Sequence, residues 1–227
     1  MIPDFTIQQS KLVKDGIPGV FTIELKKENE ALMKSIAQQL VGSTITNDYK
    51  EVRFRASSVK TFTRYQDDLF IMNRVRQLDY ETTLRLVFCL SKQLEYCISQ
   101  YNKAFYLFNP ANLIVVNDDT FVYCSSEYLI DVNPDKMEIV FTCPFSKVDG
   151  FISPEILAVD TIPAMVDIRS IYYGFGELIV YCFFNVNIGK DSEGIRTILN
   201  TVKDTKLYWF LLRCFENDLT KRCLLYI

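Results

Sequence analysis

The chain has 227 residues, 49% hydrophobic and 23% charged, which suffices for a sizeable core in one domain or two small lobes and excludes a disordered chain. Lys+Arg number 25 against Asp+Glu 28, so a net charge of -3 offers no basic field to grip nucleic acid or anionic lipid. Histidine is absent, which removes every Ser-His-Asp triad, Cys-His nucleophile and HExxH zinc site.

The first 78 residues lean toward strands with one helix. Phe5-Thr6-Ile7 and Val20-Phe21-Thr22-Ile23-Glu24-Leu25 have strand character, with turns at Asp15-Gly16 and Pro18-Gly19 between them. Over 28–40, Ala31, Leu32, Ser35, Ile36, Gln39 and Leu40 make a helical stripe. Segments 49–56 and 69–75 read as further strands, parted by a polar turn at Gln66-Asp67-Asp68. The character changes near Asp79. Over 82–101, Leu86, Leu90, Leu94, Cys97, Ile98 and Tyr101 recur at helical spacing, with Lys92, Gln93 and Gln100 facing out. Strands are expected at 113–116 and 121–124, joined through Asn117-Asp118-Asp119, and 125–152 reads as irregular. A buried central helix is expected over 172–184, a polar loop at 189–194, and the last helices over 195–202 and 207–216. The expected division is a small β-rich lobe, 1–78, and a helical lobe, 79–227.

Cys89, Cys97, Cys124, Cys143, Cys182, Cys214 and Cys223 are scattered, mostly in apolar runs, with no CxxC pair. Such a set reads as reduced, buried, small apolar residues and points to neither disulfides nor a metal site. No signal peptide is read in Ile2-Pro3-Asp4, and the apolar run at 178–184 is too short to span a bilayer. A soluble, intracellular protein is the expectation.

Four local patterns converge. Asn109-Pro110-Ala111-Asn112 precedes Leu-Ile-Val-Val; Gly150-Phe151-Ile152-Ser153-Pro154-Glu155 follows the irregular stretch. Gly174-Phe175-Gly176 opens the apolar run, and Glu216-Asn217-Asp218-Leu219-Thr220-Lys221-Arg222 lies near the end. In this order they resemble the catalytic-loop end, the A-P-E motif, the central helix and the C-terminal Arg segment of eukaryotic-type protein kinases. Ser170-Ile171-Tyr172-Tyr173, the stretch from Asp204 to Cys214, and Leu224-Leu225-Tyr226-Ile227 are similar to kinase-like proteins of large DNA viruses. The resemblance covers about 84–227 and is poor before that. It implies an α+β, protein kinase-like bilobal fold with a reduced β-rich N-lobe and a helical C-lobe. It also implies that Glu155 and Arg222 pair as a structural anchor. The family's Asp at the head of the central helix falls on Ile171 or on Asp167, according to the alignment point.

The chemistry that the resemblance calls for is largely missing. Phosphoryl transfer needs a catalytic Asp, a metal-holding Asp, a strand Lys and a phosphate-covering loop. The catalytic Asp position falls on Leu107, and 104–116 contains no acid. The metal Asn position is Asn112, whose simpler reading is a turn residue bonding its own backbone. The D-F-G position falls on Ser125-Ser126-Glu127, and Ser125 is a poor magnesium ligand. Glu127 or Asp131 would substitute only if the loop is rearranged. The strand Lys position falls on Lys26 or Lys27, and the helix Glu on Glu28 or Glu30, though this run also reads as a solvated charge cluster. Gly16 and Gly19 do not make a GxGxxG. The expectation is a pseudokinase that binds a viral or host protein as a scaffold. It comes with no cofactor, no metal, no nucleic acid or membrane partner, and weak or absent ATP binding. Host cytoplasm or a virion is the expected place. The alternatives are an atypical active Ser/Thr kinase with rearranged metal and base residues, and a structural virion-associated protein.

Overall fold

The structure, a computed structural model, describes residues 4–10, 19–188 and 192–225. The turns read at Asp15-Gly16 and Pro18, and part of the 189–194 loop, lie outside these residues. The chain runs β1 (Phe5–Ser10), β2 (Gly19–Leu25), α1 (Glu30–Gln39), β3 (Thr44–Asn47), β4 (Glu51–Ala56), β5 (Val59–Thr61), α2 (Phe62–Asn73) and α3 (Tyr80–Tyr101). It continues through β6 (Lys103–Phe105), β7 (Leu113–Val116), β8 (Thr120–Tyr123), β9 (Leu129–Asn133), β10 (Glu138–Phe141), α4 (Pro154–Leu157) and β11 (Ala164–Asp167). It ends with α5 (Ile171–Phe184), α6 (Ser192–Thr201) and α7 (Lys206–Cys214). The fold is mixed α+β, and among the described residues no helix is long and apolar enough to cross a membrane.

The first sheet is antiparallel in the order β1-β2-β4-β3. On β4, Val52, Phe54 and Ala56 are buried while Arg53 and Arg55 face water, the period of two expected of a half-buried strand. Phe21 on β2 lies opposite Phe54, with ring centroids 6.2 Å apart. Helix α1 covers this sheet. Asn29 caps it by accepting from the Leu32 N–H at 3.0 Å, and Leu32, Ser35 and Ile36 are buried on one stripe.

Two further antiparallel sheets run β5-β7-β8 and β11-β10-β9-β6. The first sheet ends at Ala56, and β5 then pairs with β7, so 59–61 is joined to 114–116. Segment 69–75, expected as a strand, is the end of helix α2. Thr61 caps that helix by accepting from the Arg64 N–H, and Phe62, Tyr65 and Gln66 bury a helical stripe, so the first 78 residues hold two helices. Segment 125–152, expected as irregular, holds β9 and β10, which hydrogen-bond to β6 and β11. Strands this short are stabilised by partners distant in sequence, which local patterning does not reveal. Helices α3 and α5 lie where they were expected, and α6 and α7 lie within three residues of expectation. Helix α5 begins at Ile171, whereas Asp167 ends β11 and accepts from the Arg169 N–H at 2.9 Å.

All seven cysteines are free. Five are buried, but Cys143 and Cys223 are exposed, because both lie in loops outside the apolar runs. Gln93 corrects a second expectation, since it is buried. Its Nε2 donates to the Tyr123 carbonyl at 2.8 Å and to Ser35 Oγ at 3.1 Å, and its Oε1 accepts from the Tyr123 N–H at 2.8 Å. One amide thus joins α1, α3 and the end of β8. Gln93→Leu will leave the Tyr123 N–H and carbonyl unpaired in the core, at about 1–3 kcal/mol for each group. Urea denaturation will show a lower midpoint with an unchanged slope.

Candidate functional site

The site expected around Leu107 is packed solid. After β6 the chain runs Tyr106-Leu107-Phe108, all buried, with Leu107 fully inaccessible. Gly150 and Phe151 lie over it. Phe108 and Phe151 exchange two main-chain hydrogen bonds, at 3.0 and 2.9 Å. Gly150 approaches so closely that a Cβ there would stand 2.2 Å from Leu107 Cδ2. Around this point the Phe105 and Tyr123 rings meet edge to face at 4.9 Å, and the Phe108 and Phe175 rings stack at 5.5 Å.

The polar atoms here are spent on structure. Tyr123 OH donates to the Leu107 carbonyl at 3.0 Å and accepts from the Asn109 N–H at 2.9 Å. Burial drives the Tyr123 phenol far up, against the opposing bonds from the Asn109 N–H and the Asn112 side chain. Burial likewise pushes Tyr106 up to about 12, with the Ser146 backbone opposing. These phenols stay neutral near pH 7, and Leu107 brings no proton acceptor.

Asn112 is buried and reaches Tyr123, while its carbonyl accepts from the Cys124 N–H at 2.8 Å. The turn role expected of Asn112 belongs to Asn109, whose Oδ1 accepts from the Ala111 N–H at 2.8 Å. Asn109 precedes Pro110 and so stands at the cap position.

Ser125 is buried two residues beyond β8. Next to it, Asp4 from before β1 reaches the turn at Ser126 and Glu127, to which its carboxylate bonds. Lys26 stands beside Asp4, since its N–H donates to the Asp4 carbonyl at 2.8 Å. The structure therefore brings Lys26, Ser125 and Glu127 into one neighbourhood, and Asn112 joins it through Cys124. Lys26 and Lys27 follow β2 and do not lie on it. Both are exposed, as are Glu28 and Glu30, and none of the four makes an ion pair among the described residues. Asp131 is held by Lys103 at 2.6 Å. It shares with Glu127, Tyr106, Cys143 and Phe145 a shallow cavity of about 260 Å³. Among the described residues no group of three or more Cys, Asp or Glu is placed to hold a metal ion. Asp4 carries no sequence signal, because its partners are 122 residues away.

The anchor expected from Glu155 and Arg222 is present. Ser153 Oγ caps α4 by accepting from the Ile156 N–H at 3.2 Å, which sets Glu155 in the first turn. Arg222 Nη1 and Nη2 donate to Glu155 Oε2 and Oε1 at 3.1 and 3.0 Å, and Nε donates to the Glu216 carbonyl at 3.0 Å. The guanidinium lies 5.5 Å from the Tyr173 ring centroid, and Arg222 is only 2% exposed. Burial is the largest influence on Glu155 and opposes its ionisation, but the hydrogen bonds and charge of Arg222, together with the Glu155 N–H and the Ser153 hydroxyl, outweigh it and hold the carboxyl below its ordinary value.

No family model matches the chain, and no curated protein matches it.

Arg222→Ala strands a half-buried carboxylate, and stability will fall by about 3–5 kcal/mol in chemical denaturation. The pair is also pH-linked. Glu155 is depressed in the fold, so between its folded value and its ordinary 4.5 the unfolded chain binds more protons. The stabilisation is complete above that ordinary value and is lost as pH falls through the folded one. Glu155→Gln will therefore show a shallower loss of stability than wild type on acidification below about pH 4.5.

Proposed function

We propose that this chain is a catalytically inactive, protein kinase-like protein, a pseudokinase, acting inside the cell as a protein-binding or scaffolding module for a viral or host protein. The observation that carries the reading is Leu107. The position that needs a proton acceptor holds a fully buried aliphatic side chain, sealed by Gly150 and Phe151. The bidentate Glu155–Arg222 pair supports a kinase-like architecture, as does a four-stranded sheet with one covering helix that precedes a mixed half whose buried central helices are α3 and α5. A chain that keeps its structural anchor while filling its reactive position is organised for shape.

The active-kinase alternative needs Glu127 or Asp131 on a metal ion. Asp131 is tied to Lys103, and Glu127 is an exposed turn residue, so neither is preorganised for that role.

Incubating the full chain with γ-labelled ATP, magnesium or manganese and generic protein substrates will give no transfer above a buffer control. Transfer that disappears in the Lys26, Lys27 and Asp131 alanine variants would refute the reading. Leu107→Asp will not create activity. It buries an unpaired carboxylate and will cost about 3–5 kcal/mol of stability, read from the denaturation midpoint.

A further inference from the structure

The register of the first sheet aims Asp4 at a distant turn. Phe5 pairs with Leu25, so Asp4 stands beside Lys26 and its side chain projects beyond the end of β8. Oδ2 of Asp4 accepts three hydrogen bonds: from the Ser126 N–H at 2.8 Å, the Ser126 hydroxyl at 2.5 Å and the Glu127 N–H at 3.1 Å. The Leu129 N–H closes the turn onto the Ser126 carbonyl at 3.4 Å. Two successive main-chain N–H groups and a hydroxyl that converge on one anionic oxygen form an oxyanion nest, and bonds of this kind are strong because the acceptor is charged.

The carboxylate fills the nest incompletely. Among the described residues, Asp4 Oδ1 is buried without a hydrogen-bond partner. So is the hydroxyl of Ser125, the preceding residue, which is only 1% exposed. An unsatisfied buried oxygen loses its hydration without a replacement bond, so this occupant sits at a disadvantage. A tetrahedral phosphate offers more oxygens than a carboxylate, enough for the three donors and for the idle hydroxyl. Lys26 and Lys27, which make no ion pair among the described residues, add positive charge at the same end of β2.

We propose that the turn at Ser126 and Glu127 is a phosphate-binding nest, and that Asp4 is its built-in competitor. The ligand class is a phosphate or polyphosphate group, free or carried on a nucleotide. A tethered carboxylate acts at an effective concentration in the millimolar range, so wild type is largely closed to such ligands. This goes beyond the pseudokinase reading and does not depend on it.

The test titrates pyrophosphate and ATP, without metal, into the full-length chain and its Asp4→Ala variant, with sodium chloride and acetate at equal ionic strength as controls. Pyrophosphate is expected to raise the melting temperature of Asp4→Ala and to bind it about tenfold or more tightly than it binds wild type. Ser126→Ala in the Asp4→Ala background is expected to abolish that gain, and Ser125→Ala to reduce it. ATP equal to pyrophosphate assigns recognition to the phosphates alone, and tighter ATP binding assigns it to a nucleotide; either keeps the nest. If Asp4→Ala does not fold, Asp4→Asn keeps an acceptor oxygen, removes the charge, and is expected to show a smaller gain of the same sign. Equal affinity in wild type and variant, or rescue by acetate without rescue by pyrophosphate, overturns the proposal. ATP turnover by wild type would remove the pseudokinase reading and leave the nest, whereas an anion-blind variant would do the reverse.

Discussion

The buried fork of Arg222 on Glu155 is the constraint that organises the second half of the chain. A guanidinium removed from water loses several kcal/mol of hydration, and Coulomb attraction alone does not return it. Here three of its N–H groups find oxygens at 3.0–3.1 Å, two on one carboxylate and one on the Glu216 carbonyl, and its face lies over Tyr173. The geometry matters more than the net energy. A planar fork accepts one orientation of its partner, so α4, the segment after α7 and the first turn of α5 are fixed to one another by a single residue.

That fixation lets the centre pack without gaps. Helix α5 lies directly on the backbone of Phe151, since a Cβ at Gly174 would meet the Phe151 carbonyl at 2.7 Å. Two residues on, about half a turn round the helix, a Cβ at Gly176 would meet Cys214 of α7 at 2.8 Å. The two glycines let α5 be approached closely from both sides. Phe175 between them stacks on Phe108 and meets Phe210 edge to face at 5.5 Å. The aromatic cluster then continues through Phe105 and Tyr123 around Leu107. The close packing that stabilises this region leaves Leu107 fully buried, with no ionisable carboxylate beside it between residues 104 and 116.

The helices were legible because their signals are local. The stripe of Leu86, Leu90 and Leu94 and the run Gly174 to Phe184 each declare a period or a length within one window. In segment 69–75, Phe70, Ile71 and Met72 are apolar yet exposed on the last turn of α2, and Val75 is exposed just beyond it, so burial and hydrophobicity part company there. The same rule turns polar Gln93 outward, and it is buried because three groups on two other elements receive it. Strands β3, β9, β10 and β11 are four or five residues long and take their stability from pairing, which leaves little mark on the sequence. Of the site residues, Glu155 and Arg222 were joined by resemblance to a family pattern and not by any spacing of their own. Asp4 left no trace because a lone carboxylate near a strand start says nothing about a turn so far along the chain.

Four polar ties run from the part of the chain before β5 to the part after it. Gln39 Nε2 donates to the Cys89 carbonyl at 2.8 Å, and Gln93 Nε2 donates to Ser35 Oγ at 3.1 Å. Asn117 Oδ1 accepts from both the N–H and the hydroxyl of Ser57 at 2.8 Å, and Asp4 accepts from Ser126. They are spread over α1, the β4–β5 connection and the start of β1, so no single side of the junction is left free to hinge. Enzymes that close over a substrate draw the moving element from regions with few such contacts, where opening is cheap. A junction tied at several separate points has to break several bonds together before it opens. That is the mechanical character of a body whose two parts move as one, and it agrees with a centre in which Leu107 and the rings around it are packed without gaps.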